Sequence, residues 1–131
     1  MSSNGLITGA SRFSVGETLD RLTAAITSAG LLVFARINHA SNAEEVGQKL
    51  RPTELLIFGH PRSGTPLMQD KQTAGSDLPV KALAWEDEEG RVWLTYNEAA
   101  WLATRHELGA SSKNAIEAIE AGLATLASSI G

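Results

Sequence analysis

Residues Val80 to Asp87 and Arg91 to Tyr96 form two alternating arms, joined only by Asp87-Glu88-Glu89-Gly90. So short a connection makes the two strands an antiparallel hairpin, because a parallel return needs a crossover of a dozen residues or more. Lys81, Leu83 and Trp85 alternate with Val80, Ala82 and Ala84, and Val92, Leu94 and Tyr96 alternate with Trp93 and Thr95. Each arm therefore presents two distinct faces. Upstream, Glu54 to Phe58 contains four consecutive apolar residues, which predicts a strand buried on both faces.

Helical patterns surround these strands. Ser14 with Glu17 is a capping box, followed by Val15, Leu19, Leu22 and Ile26 at helical spacing and Gly30 as a stop, so a helix is expected over 14–29. Leu6 to Phe13 reads as a short first strand and Leu31 to Asn38 as a second. Ser41 with Glu44 predicts a short helix over 42–50, closed by Pro52. Thr65-Pro66 predicts an N-cap with proline at the first helical position and a helix to about Lys71, followed by loop from Thr73 to Leu78. Asn97 is expected to cap a helix from Glu98 to His106. Ile116, Ile119, Leu123, Leu126 and Ile130 form the seam of a last helix over 112–129.

The resulting order is β-α-β-β-β-β-α with short inserted helices. It specifies an α+β domain: a mainly antiparallel sheet of four to five strands with helices packed on one face. At 131 residues, without internal repeat or linker, the chain reads as a single domain.

Composition removes several functions. The absence of cysteine excludes disulfides, thiolate metal sites and cysteine nucleophiles. A formal charge of −4, with no lysine or arginine next to another, argues against nucleic acid as a partner. No apolar run approaches the length of a membrane span. Met1 to Ile7 has neither a basic n-region nor an apolar h-region, so the cytoplasm is the expected location.

Phe58-Gly59-His60-Pro61, Gly64-Thr65-Pro66-Leu67-Met68 and Asp77-Leu78-Pro79-Val80 together resemble the family called domain of unknown function 302. Trp85-Glu86-Asp87 to Gly90, and Tyr96-Asn97 before a helix ending in Arg105-His106, extend the likeness over residues 12 to 109. The family pattern often carries asparagine where this chain has His60. The resemblance implies a compact α+β fold similar to the half-repeat of the TATA-box-binding protein, commonly a homodimer. It implies no reaction, ligand or cofactor, and likeness to a DNA-binding fold does not carry DNA binding with it.

His60 is the sharpest candidate residue. It follows a buried strand and a glycine, where side chains emerge at a sheet end, and imidazole exchanges protons near neutrality. Asp77 is the candidate to orient it, or else caps a loop before proline. Arg62 with Ser63, Gly64 and Thr65 offers an anion nest at a helix start. Arg105 and His106 close a helix, where positive charge is favoured, and could hold an anion at the same cavity. Tyr96 with Trp93 would line a cavity if one forms, whereas the tryptophans otherwise complete a core or an interface. Metal binding by His39, His60 and His106 lacks any short ligand spacing. No Gly-x-Ser-x-Gly or Gly-x-Gly-x-x-Gly occurs.

The leading expectation is a homodimeric module that binds a small molecule or another protein. The alternative is an enzyme with His60 as acid/base, Asp77 as its partner and an arginine as anion clamp; a histidine-based metal protein ranks below both.

Overall fold

The structure, a computed structural model, describes residues 4–131. The first three residues of the Met1–Ile7 stretch lie outside them. Five strands, β1 (Leu6–Ser11), β2 (Leu32–Asn38), β3 (Thr53–Gly59), β4 (Val80–Glu86) and β5 (Val92–Asn97), form one sheet in the order β1-β5-β4-β3-β2, antiparallel at every pairing. The hairpin predicted at Asp87–Gly90 joins β4 to β5, with Trp85 directly opposite Trp93. Asp87 Oδ1 accepts the N–H groups of Glu89 and Arg91, which closes the turn.

Pairing register separates the two faces of the sheet. Leu56, Ala82, Tyr96 and Ile7 make one cross-strand row, and Ala84, Leu94 and Gly9 fall on the same side. Against this face pack α1 (Val15–Ser28) and α5 (Lys113–Ser128). Leu19, Leu22 and Ile26 of α1 and Leu123 and Leu126 of α5 join Leu56, Phe58, Ala82, Ala84 and Leu94 in the main core. Each fully buried leucine or isoleucine contributes about 1.5–3 kcal/mol relative to an exposed one. The other face carries Leu55, Ile57, Leu83, Trp85 and Trp93, which are only half-buried. The apolar run Leu55–Phe58 is thus fully buried on one face and half-buried on the other, not sealed on both.

The helix α1 begins as its capping box requires, with the Ser14 hydroxyl accepting from the Glu17 N–H at 3.2 Å. It ends with Gly30 at φ +80, the left-handed position that favours glycine, and the Leu31 N–H returning to the Ile26 carbonyl. Three other helix starts differ from expectation. The helix α2 spans His39–Glu45, not 42–50, because Asn38 at the end of β2 already caps it by accepting from the Ser41 N–H at 2.9 Å. The helix α3 spans Pro61–Asp70: His60-Pro61 starts it, and Thr65-Pro66 lies one turn inside. The helix α4 (Ala99–Arg105) is entered at Glu98, and no side chain caps it. The stretch expected as loop before Pro79 is a 3-10 helix, Gln72–Asp77.

Candidate functional site

The helix α3 lies where β3 runs out, and its entry builds the site. Gly59 has φ +147, a conformation that strongly favours glycine, and turns the chain from sheet to helix. His60 is extended, with φ −149 and ψ 141, and its Nδ1 accepts the Arg62 N–H at 3.1 Å. Imidazole here does what an asparagine or aspartate oxygen does at an N-cap. With Nδ1 engaged as an acceptor, the neutral ring carries its proton on Nε2, which is left as a donor.

A pocket of about 460 Å³ opens beside this turn, between α3, α5 and the adjoining ends of β3 and β4. Phe58, Met68, Leu78, Val80, Ile119 and Leu123 supply much of its apolar wall. Among the described residues, the polar ones lining it come from the turn and first residues of α3: His60, Ser63 and Thr65. The Ser63 and Thr65 hydroxyls make no hydrogen bond to another described residue. Leu78 and Pro79, joined by a cis peptide bond, also line the pocket.

Phe34 reaches this pocket through an irregularity in β2. Val33 pairs with Phe58 and Ala35 with Ile57, which leaves Phe34 as the extra residue of a β-bulge. Bulges redirect side chains, and Phe34 lines the pocket while remaining 50% exposed.

Asp77 belongs to a different cluster. Its Oδ2 is 2.6 Å from His106 Nε2 and 3.5 Å from an Arg105 guanidinium nitrogen. The Thr73 hydroxyl sits 3.3 Å from the other ring nitrogen of His106. The His106 side chain is 8% exposed and that of Asp77 19%, so this cluster fastens the end of α4 onto the 3-10 helix. Among the described residues no hydrogen bond or ion pair joins Asp77 to His60: the carboxylate pairs with His106 and Arg105.

The remaining candidates separate in the same way. Thr65 lines the pocket, whereas Arg62 is exposed and contributes its backbone N–H to the His60 cap. Arg105 and His106 are not among the residues that line the His60 pocket. Tyr96 packs against the main core rather than the pocket, and burial raises the pKa of its hydroxyl. Trp93 is also away from this pocket and instead lines a second cleft, of about 410 Å³, with Phe13 and Arg91; its indole N–H donates to Asp87 Oδ2 at 2.8 Å. Among the described residues no three His, Asp or Glu side chains converge as a metal site would require.

Phe34 and Gly122 are among the lining residues that sequence reading does not single out. Phe34 lies in a run of β-prone residues, and nothing in that run marks a bulge. Gly122 lies inside α5, and a Cβ added there would meet nothing within 4 Å. A lone glycine within a helical seam is a signal that could have been followed.

A structural neighbour is the crystal structure of an uncharacterized conserved DUF302 protein from Bacillus stearothermophilus. It superposes with a TM-score of 0.86 over 97% of this chain and 98% of that one, at 18% identity, and so supports the fold. Curated relatives named fluoride-specific ion channel FluC 1, from Brucella suis biovar 1 (strain 1330) and Brucella abortus biovar 1 (strain 9-941), are each 55% identical over 123 residues. The match takes in 94% of this chain but only 48% and 46% of theirs, so the chain spans just under half the length of these relatives. No helix among the described residues is long and apolar enough to cross a membrane. The family model for the domain of unknown function DUF302 matches residues 7–126, which takes in most of β1 and of α5 as well as the motifs around His60, and the chain belongs to that family.

Proposed function

We propose that this chain is a small-ligand-binding module that works as a homodimer. The observation that carries the first part is the pocket beside α3: about 460 Å³ of apolar space with His60, Ser63 and Thr65 placed along one side. Pockets of a few hundred cubic ångströms with few polar groups are the usual form of a small-molecule site. The test is native mass spectrometry of protein purified without denaturation, repeated after a pocket-filling substitution. A bound mass that disappears in the filled variant is expected. Turnover of a substrate that depends on His60 would replace binding with catalysis.

The dimer rests on β2, an edge strand that exposes Leu32, Val33 and Phe34. A bare apolar edge invites pairing with another strand, and the fitting occupant is a second copy. Light scattering should give twice the chain mass, and a monomer at micromolar concentration overturns the dimer.

The curated relatives add a partner. They are named for fluoride conduction, and a sequence like this one accounts for just under half of each. A helical pore needs membrane-spanning segments, which supports assigning the channel to their other part. This chain would then act beside a fluoride channel. Adding it to proteoliposomes that hold such a channel should change fluoride efflux; unchanged efflux removes this partner.

A further inference from the structure

We infer that the α3 pocket takes a neutral, hydrocarbon-rich molecule with a single hydrogen-bond acceptor, such as an aliphatic ketone, and not an anion. The inference rests on the ligand-binding reading above and narrows it. Among the described residues, none of those lining the pocket is aspartate, glutamate, lysine or arginine. Arg62, the nearest arginine in sequence, is exposed and is not part of the lining. A carboxylate or halide would leave water without a cationic partner, which is strongly unfavourable.

The polar groups define the ligand's other end. His60 Nδ1 is occupied by the Arg62 N–H, so the neutral ring offers a donor at Nε2. The hydroxyls of Ser63 and Thr65 can each donate or accept. These groups suit one carbonyl or ether oxygen at the His60 end, with the hydrocarbon along Leu123 and Val80. Gly122 contributes the space that a side chain on α5 would fill, since a Cβ there has no neighbour within 4 Å. Phe34, displaced from the strand pattern by its bulge, borders the opening.

The test follows the methyl resonances of Val80, Ile119 and Leu123 in the full chain at pH 7.5, titrated with 2-nonanone or nonanoate. The ketone should shift these methyls, and nonanoate should bind at least about tenfold more weakly. Gly122→Leu should weaken ketone binding by about tenfold or more. Ala118→Leu, at an exposed position of the same helix that also lines the pocket, is a second plug. His60→Asp retains a capping oxygen but removes the donor, and should cost several-fold in ketone affinity. Nonanoate binding as tightly as the ketone would overturn the neutral class and leave the ligand-binding reading intact. If neither probe moves these methyls, both fall. Ketone binding that survives both plugs would place the ligand elsewhere and overturn the assignment.

Discussion

His60 and His106 both stand at helix ends, one before α3 and the other after α4, but their surroundings have opposite consequences. His106 has both ring nitrogens facing partners, Asp77 at 2.6 Å and Thr73 at 3.3 Å, and its side chain is almost wholly buried. Its hydrogen-bonding capacity is consumed within the fold. His60 uses one nitrogen to start a helix and keeps the other, beside an apolar pocket and two unengaged hydroxyls. The better-formed histidine–carboxylate pair is therefore the less suited to a ligand. A histidine with capacity left over marks a site more reliably than one in a complete network.

The largest test of that contrast is Asp77→Ala. It leaves the buried His106 nitrogen without its acceptor and frees Arg105, and an unsatisfied buried polar group costs about 1–3 kcal/mol. The urea midpoint should fall accordingly, while the pocket methyl resonances and any ligand affinity stay as they were. Lost affinity with unchanged stability would reverse the roles of the two regions.

The His60 end should respond more weakly, in a pattern that separates cap from site. His60→Ala removes the acceptor for the Arg62 N–H and should cost about 1 kcal/mol, the usual effect of losing an N-cap. His60→Asn restores a capping oxygen and should return stability to within about 0.5 kcal/mol of the parent. Asparagine is the residue that the family pattern often carries there, and the cap explains why either side chain serves. A thermal melt of the two variants decides it: equal losses would mean that the ring is held by packing rather than capping.

Substitution at Gly122 should have the opposite sign. Glycine inside a helix is less favourable than alanine by about 0.8–1 kcal/mol, and the added methyl meets nothing within 4 Å. Gly122→Ala should therefore raise the melting temperature. A fall would mean that this part of α5 is more crowded than its geometry indicates.

These contrasts also explain what could be read from the sequence. The hairpin, the α1 capping box and the seam of α5 were legible because each depends on residues close in sequence. The start of α3 was misplaced because the chain offers two cap-and-proline pairs, His60-Pro61 and Thr65-Pro66, and threonine is the commoner cap. The end of β3 decides between them: the strand stops at Gly59, so the first pair receives the free N–H groups. Asn38 took precedence over Ser41 for a similar reason, standing at the last position of β2. His60, the sharpest candidate of the sequence, lines the pocket, whereas Asp77 pairs with His106 and Arg105. Which of His60 and His106 meets Asp77 depends on how α4 returns across the 3-10 helix. That placement is long-range, and no spacing encodes it.

The smallest effect concerns the tie between the two helices that border the pocket. Asp70, the last residue of α3, accepts from the Ser112 hydroxyl at 2.7 Å and the Gly109 N–H at 2.8 Å, just before α5. These hydrogen bonds, Ser112 foremost, hold its carboxyl below the ordinary aspartate range. A carboxyl with its pKa lowered by folding stabilises the folded state above its unfolded value, near 3.9. That contribution is lost as pH falls through the lower folded value. The urea midpoint should decline from about pH 4.5 towards pH 2, and Asp70→Asn should flatten part of the decline. Part will remain, because Trp93 and the turn N–H groups lower the Asp87 carboxyl in the same direction. Parallel curves for the parent and Asp70→Asn would show that this tie contributes nothing to acid stability, and that α3 and α5 stay together through Leu67, Ile116 and their apolar neighbours instead.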